Sequence, residues 1–106
     1  CPYHYEYGEE EWLIVLSGRP TLRHPEGIDV LEEWETVCFP SGPDGAHAVT
    51  NDTDETVRVL MFSNHMTPAA SVYPDSGKVG LWTGNEADPP RLFRLDTAVD
   101  YWDGEA

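Results

Sequence analysis

Cys1-Pro-Tyr-His-Tyr-Glu-Tyr-Gly-Glu-Glu-Glu-Trp-Leu-Ile-Val-Leu-Ser-Gly18 carries an aromatic and ionisable run straight into an apolar one. In an extended chain alternate residues share a face, so Tyr3, Tyr5 and Tyr7 point one way and His4 and Glu6 the other. An imidazole and a carboxylate therefore stand side by side, and Glu9, Glu10 and Glu11 follow after the break at Gly8. From Trp12 to Leu16 the residues are apolar on both faces, the pattern of a strand covered on two sides. Groups able to bind an ion thus lead into a buried strand.

Downstream, short strands alternate with turn chemistry. After the strand at 11–17, Gly18-Arg-Pro20 turns the chain, 21–24 returns, Pro25-Glu-Gly27 turns again, and 28–31 continues. Strands follow at 36–39 and 47–51, separated by a loop with two prolines and two glycines at 40–45. Residues 56–63 form a long strand with Val57, Val59 and Met61 on one face and Leu60 and Phe62 on the other. No segment has a convincing helical period. This meander is the signature of an all-β barrel or sandwich. Residues 64–72 are expected to form a connector, 78–82 and 91–95 further strands, and 96–106 an acidic tail anchored by Tyr101 and Trp102. That tail is expected to pack over a sheet face or across a dimer partner.

A chain of 106 residues supports one core, not two. Twenty acidic residues against six basic ones give a formal net charge of −14, a field that repels phosphate backbones, so nucleic acid and anionic membranes are excluded as partners. Two cysteines make no disulfide framework; Cys38, between Val37 and Phe39, reads as a small buried hydrophobe, and the expected setting is reducing and cytoplasmic. No signal peptide or transmembrane run appears in the chain. Arg91 and Arg94 are expected in intramolecular ion pairs, and His24, His65, Glu9 and Glu10 at the surface.

The opening stretch also resembles the first motif of the cupin superfamily, H-x-H-x(3,4)-E-x(6)-G, through His4, Glu11 and Gly18. Pro40-Ser41-Gly42, His47 and Asn51 resemble the second motif, P-x-G…H-x(3)-N, at the right distance. The ordered pair is far more specific than either motif alone. The resemblance is to small single-domain bacterial cupins, and it implies a double-stranded β-helix, a jelly-roll barrel of six to eight antiparallel strands with an irregular C-terminal tail. Its conserved core would span 1–63, with 64–106 as connector, extra strands and tail of the same domain. Cupin barrels ordinarily have strands before their first histidine, so the resemblance also implies residues upstream of Cys1.

Carried over position by position, the cupin metal site falls on His4, Glu6 in place of the usual second histidine, Glu11 and His47. Two imidazoles and two carboxylates suit a divalent ion, Mn, Fe, Zn or Ni, with the harder ions favoured. The anion at Glu6 weakens such a centre as a Lewis acid and disfavours anionic substrates. Both imidazoles must be neutral to bind, so affinity is expected to fall below about pH 6.5. His47, at a barrel mouth, is expected to contribute little to the core. Two classes stay open: a metal-dependent dioxygenase or isomerase acting on a small molecule, and a metal-free small-molecule-binding or assembly module. In either case a homodimer is expected, from apolar surface beyond what one small barrel covers. A second departure is Trp34, where the family has a glycine six residues before the motif's proline; positive φ is costly for tryptophan, so this turn is expected to be rebuilt.

Overall fold

The computed structural model describes residues 1–106. Ten antiparallel strands follow in order: β1 (Tyr5–Tyr7), β2 (Glu11–Ser17), β3 (Thr21–His24), β4 (Gly27–Val30), β5 (Thr36–Phe39), β6 (Ala48–Thr50), β7 (Arg58–Ser63), β8 (Ala69–Tyr73), β9 (Lys78–Trp82) and β10 (Arg91–Arg94). Helical structure is confined to two single 3-10 turns, Pro43–Gly45 and Leu95–Thr97. No helix is long and apolar enough to cross a membrane. Seven strands fall within residues 1–63, and three follow. The expected connector at 64–72 is a strand from Ala69 onward, because β8 pairs with β1 in the register Glu6 to Ser71.

Strand order is β1-β8-β9-β10 in one sheet, β5-β2-β7 in a second and β4-β3-β6 in a third. A single antiparallel bridge merges the first and third: His4 N–H donates to the His47 carbonyl (3.1 Å), and His47 N–H donates to that of His4 (2.9 Å). The result is one long ribbon facing the β5-β2-β7 sheet. Between the layers lie Leu13 and Val15 of β2, Leu22 of β3, Leu31 and Phe39, with Val37, Val49 and Val59 packed against them. Alternation along β2 supplies this core, since Leu13 and Val15 share the inner face. Gly18 closes the strand at φ +84°, where a Cβ would stand 2.8 Å from Val57 Cγ2 and 2.9 Å from the Thr56 carbonyl. Only glycine meets both conditions.

Three further expectations are corrected. The apolar strands are covered on one side, not two: Leu60 and Phe62 of β7 are each 48% exposed, because no second layer lies outside the β5-β2-β7 sheet. Cys38 shares that outer face and is exposed, not buried. The acidic tail packs on no sheet within the chain; Tyr101 and Trp102 are exposed and pack edge to face on each other. Consistent with this, the radius of gyration is 16.3 Å, against about 13 Å for a compact domain of this length.

The turn at Trp34 is kept rather than rebuilt. Its φ is +69°, its N–H donates to the Val15 carbonyl at 2.7 Å, and its indole is exposed. A left-handed non-glycine residue costs about 1 kcal/mol, and an exposed ring recovers little of it. Trp34→Gly is therefore expected to raise the denaturant midpoint by the equivalent of about 0.5–1 kcal/mol. A lowered midpoint in urea unfolding would show instead that the indole contributes packing.

Candidate metal centre

The four carried-over residues come from three pieces of backbone. His4 and His47 are directly opposed across the bridge, so their side chains leave the ribbon on the same face, with ring centroids 4.7 Å apart. Glu11, at the start of β2 in the facing sheet, reaches between them: its Oε1 lies 3.8 Å from His4 Nε2 and 3.8 Å from His47 Nε2. Glu6 sits beside His4, with Oε1 at 3.2 Å from its Nε2. His4, Glu11 and His47 offer donor atoms all within 4.8 Å of one another, whereas Glu6 groups with Glu9 and Glu11.

Both imidazoles are locked from behind. Nδ1 of His4 lies 2.8 Å from the Pro2 carbonyl, and Nδ1 of His47 lies 2.8 Å from that of Gly45. A carbonyl only accepts, so each Nδ1 carries a proton and each Nε2 is turned to the carboxylates, the nitrogen that binds a metal once it is unprotonated. The Phe39 ring stacks on His47 at 3.6 Å, and Tyr73 stacks on His4 at 5.9 Å. Gly45 permits this arrangement: a Cβ there would fall 1.8 Å from the Pro40 carbonyl oxygen. His47 is 1% exposed, so it is a core residue as well as a site residue, contrary to the expectation of a mouth position.

Glu6 has its own support. Trp82 Nε1–H donates to Ser71 Oγ (2.7 Å), and the Ser71 hydroxyl donates to Glu6 Oε2 (2.5 Å). Burial pushes the Glu6 carboxyl up, but the hydrogen bonds from His4 and Ser71 outweigh it and hold Glu6 below the ordinary range. His4 is pushed up to about 10, first by Glu11, then by Glu6, against the opposing effect of burial. Burial lowers His47. Glu9, expected at the surface, is largely buried and raised, by burial and then by Glu6 and Glu11.

Two buried atoms have no hydrogen-bond partner, Glu11 Oε1 and His47 Nε2. Buried polar atoms are ordinarily satisfied, and these two aim at the same point as His4 Nε2. Donors sharing one ion at about 2.1 Å stand about 3.0–3.4 Å apart, so Glu11 Oε1, at 3.8 Å from each Nε2, closes in by a few tenths of an ångström when an ion is bound. The donor set fits a divalent cation.

A cavity of about 230 Å³ opens beside the centre, lined by Glu6, Glu9, His65, Met66, Thr67, Ala69, Ser71, Tyr73 and Trp82. A larger one, about 590 Å³, lies across Phe39 and is edged by His24, Glu26, Asp29, Glu35 and Asp44; its His24 is already paired with Asp29 at 2.8 Å. Arg91 and Arg94 pair with Asp88 and Asp96 as expected. Asn51 of the second motif closes its own turn, donating to the Glu55 carbonyl and accepting from Thr53. Ser71, Tyr73 and Trp82 were not singled out from sequence. Ser71 falls in the expected connector at 64–72 and Tyr73 in a turn, and which strand they face depends on the pairing of β8 with β1.

No protein-family model and no curated protein matches the chain. Among solved structures it is similar to a "Putative sugar phosphate isomerase" from Acidithiobacillus ferrooxidans, with a TM-score of 0.83, 26% identity and 92% of this chain covered. It is also similar to a sugar phosphate isomerase from a cupin superfamily of Silicibacter pomeroyi, with a TM-score of 0.83, 20% identity and 97% covered. The chain spans 60% and 64% of the length of these two proteins. This likeness shows that the chain has the cupin fold.

Proposed function

We propose that this cupin is a metal-dependent isomerase of a small, uncharged, hydroxyl-rich substrate. The observation that carries the reading is the pair of unpartnered buried atoms, Glu11 Oε1 and His47 Nε2, converging with His4. These three residues would hold Mn, Fe, Zn or Ni, with Glu6 as an adjacent fourth donor. A bound divalent ion supplies polarisation of a substrate oxygen.

The chain's own groups supply the rest. Glu9 lines the cavity with its carboxyl raised above the ordinary range by burial and by Glu6 and Glu11, so it suits removal of a proton from a carbon next to a carbonyl and its return to the carbonyl carbon. Trp82 offers an apolar ring face, and Tyr73 and Thr67 offer hydroxyls. Neither lysine nor arginine lines the cavity, and two carboxylates there disfavour an anionic group. This separates the proposed substrate from the sugar phosphates named for the similar proteins. A volume of about 230 Å³ lies below the range of about 300–1,000 Å³ usual for drug-sized ligands. The two free thiols support a reducing, cytoplasmic setting.

A dioxygenase is the second reading, because two histidines and one carboxylate are the donor set of non-haem Fe(II) oxygenases. Carbon NMR of unphosphorylated aldoses and ketoses, incubated anaerobically with protein loaded with each ion, is expected to show their interconversion. Oxygen uptake by the Fe(II)-loaded protein without interconversion would favour the dioxygenase. Failure to bind any of the four ions would leave a metal-free binding module.

A further inference from the structure

We infer that the larger cavity, across Phe39 from the metal centre, is a second binding site, whose ligand is an organic amine: an ammonium group carried on an apolar body. Its floor is made by Leu22, Leu31, Val37 and Phe39. Leu22, Leu31 and Phe39 belong to the buried core, so the cavity is an inlet that reaches that core from outside. It shares no residue with His4, Glu6, Glu11 and His47 or with the smaller cavity beside them.

Charge selects the occupant. Glu26, Asp29, Glu35 and Asp44 line the same cavity, and none of the chain's six basic residues does. Arg19, Arg23, Arg91 and Arg94 pair with carboxylates elsewhere, and Lys78 lies over the Tyr73 ring. His24 adds no positive charge here: its Nδ1 accepts from the Glu26 N–H (3.3 Å) and its Nε2–H donates to Asp29 (2.8 Å). Glu35 accepts only the Glu32 N–H. Four carboxylates thus face the cavity without a cation among them, an arrangement that attracts a cation and repels an anion.

A bare metal ion is the poorer occupant. Three or more donor atoms lie within 4.8 Å of one another only among His4, Glu6, Glu9, Glu11 and His47, so the carboxylates of the larger cavity do not converge on one point. Its volume of about 590 Å³ falls within the range of about 300–1,000 Å³ usual for small-molecule sites, and the apolar floor calls for a body that displaces water from it. An ammonium group donates charge-assisted hydrogen bonds to the carboxylates while its alkyl chain covers the floor. Each part of the ligand answers one part of the cavity.

Titration of the full chain with hexylammonium at physiological ionic strength, followed by amide NMR, is expected to saturate and to shift the signals of Val37, Phe39 and Ala46. Hexylammonium is expected to bind about tenfold more tightly than butylammonium, through two further methylenes on the floor, and at least about tenfold more tightly than hexanol. Hexanoate is expected not to bind. Glu26→Gln combined with Asp44→Asn is expected to weaken hexylammonium about tenfold, whereas Asp103→Asn combined with Glu105→Gln, the same change of net charge placed in the tail, is expected to leave it unchanged. Equal weakening by the two pairs would reveal a diffuse counter-ion cloud instead of a site and overturns the assignment. So does hexanol binding as tightly as the ammonium, a set of shifts confined to other faces, or titration without saturation.

Discussion

Glu11→Gln is expected to weaken the binding of Mn, Fe(II), Zn and Ni at least about 100-fold. The substitution keeps the side chain's volume but replaces the one carboxylate that reaches both imidazoles with a neutral amide, a poor donor to divalent ions. It tests the site more cleanly than His47→Ala. The His47 ring is fully buried and stacked on Phe39, so its removal opens a cavity expected to cost about 2–4 kcal/mol and mixes ligand loss with instability. Isothermal titration of the metal-free proteins, with thermal melts as the control, measures the difference. Equal affinities in the two proteins would mean that any ion is held elsewhere.

Metal binding is also expected to tighten about 100-fold from pH 7 to pH 9. The motif alone placed proton competition below about pH 6.5, the ordinary range of histidine. In the folded chain His4 is an imidazolium between Glu11 and Glu6, pushed up to about 10, so an ion must displace its proton throughout the neutral range. One proton per ion makes the dissociation constant fall tenfold per pH unit until His4 is neutral. His47 is lowered, and competes only in acid. The same imidazolium stabilises the metal-free fold: the contribution is fully present below pH 6.5, the value of the unfolded chain, and is lost as pH rises through about 10. Metal affinity and metal-free stability therefore move in opposite directions above neutrality. Titrations in buffers of different ionisation enthalpy give the proton count directly; a pH-independent affinity with no proton released would refute the linkage.

What was legible in the sequence was the part encoded by local spacing. His4, Glu11, Gly18 and His47 stand in the ordered pattern of two motifs, and alternation along β2 placed Leu13 and Val15 together. Ser71 and Trp82 belong to the site through the pairing of β1 with β8 and of β8 with β9, and no local pattern specifies which distant strands pair. Glu9 read as surface charge because a run of three glutamates looks solvated; burial of one of them comes from the fold around it. The outer face was misread for a different reason. Apolar residues on both sides of a strand tell that both sides avoid water, but not whether the cover comes from the same chain. Trp34 shows the reverse case, in which a residue that disfavours a conformation adopts it because the surrounding hydrogen bonds require it.

The His4 to His47 bridge has a consequence for the order in which this chain becomes functional. Leu13, Val15, Leu22, Leu31 and Phe39, the main buried cluster, all lie between the two histidines in sequence. Hairpins such as β3–β4 and β8–β9 close short loops, while the bridge closes the long one that contains that core, and loop closure grows more costly with length. Core assembly can precede closure of the bridge, but the donors cannot converge until the bridge has formed. Chemistry is thus confined to the completed fold, and a partly folded chain lacks the assembled centre.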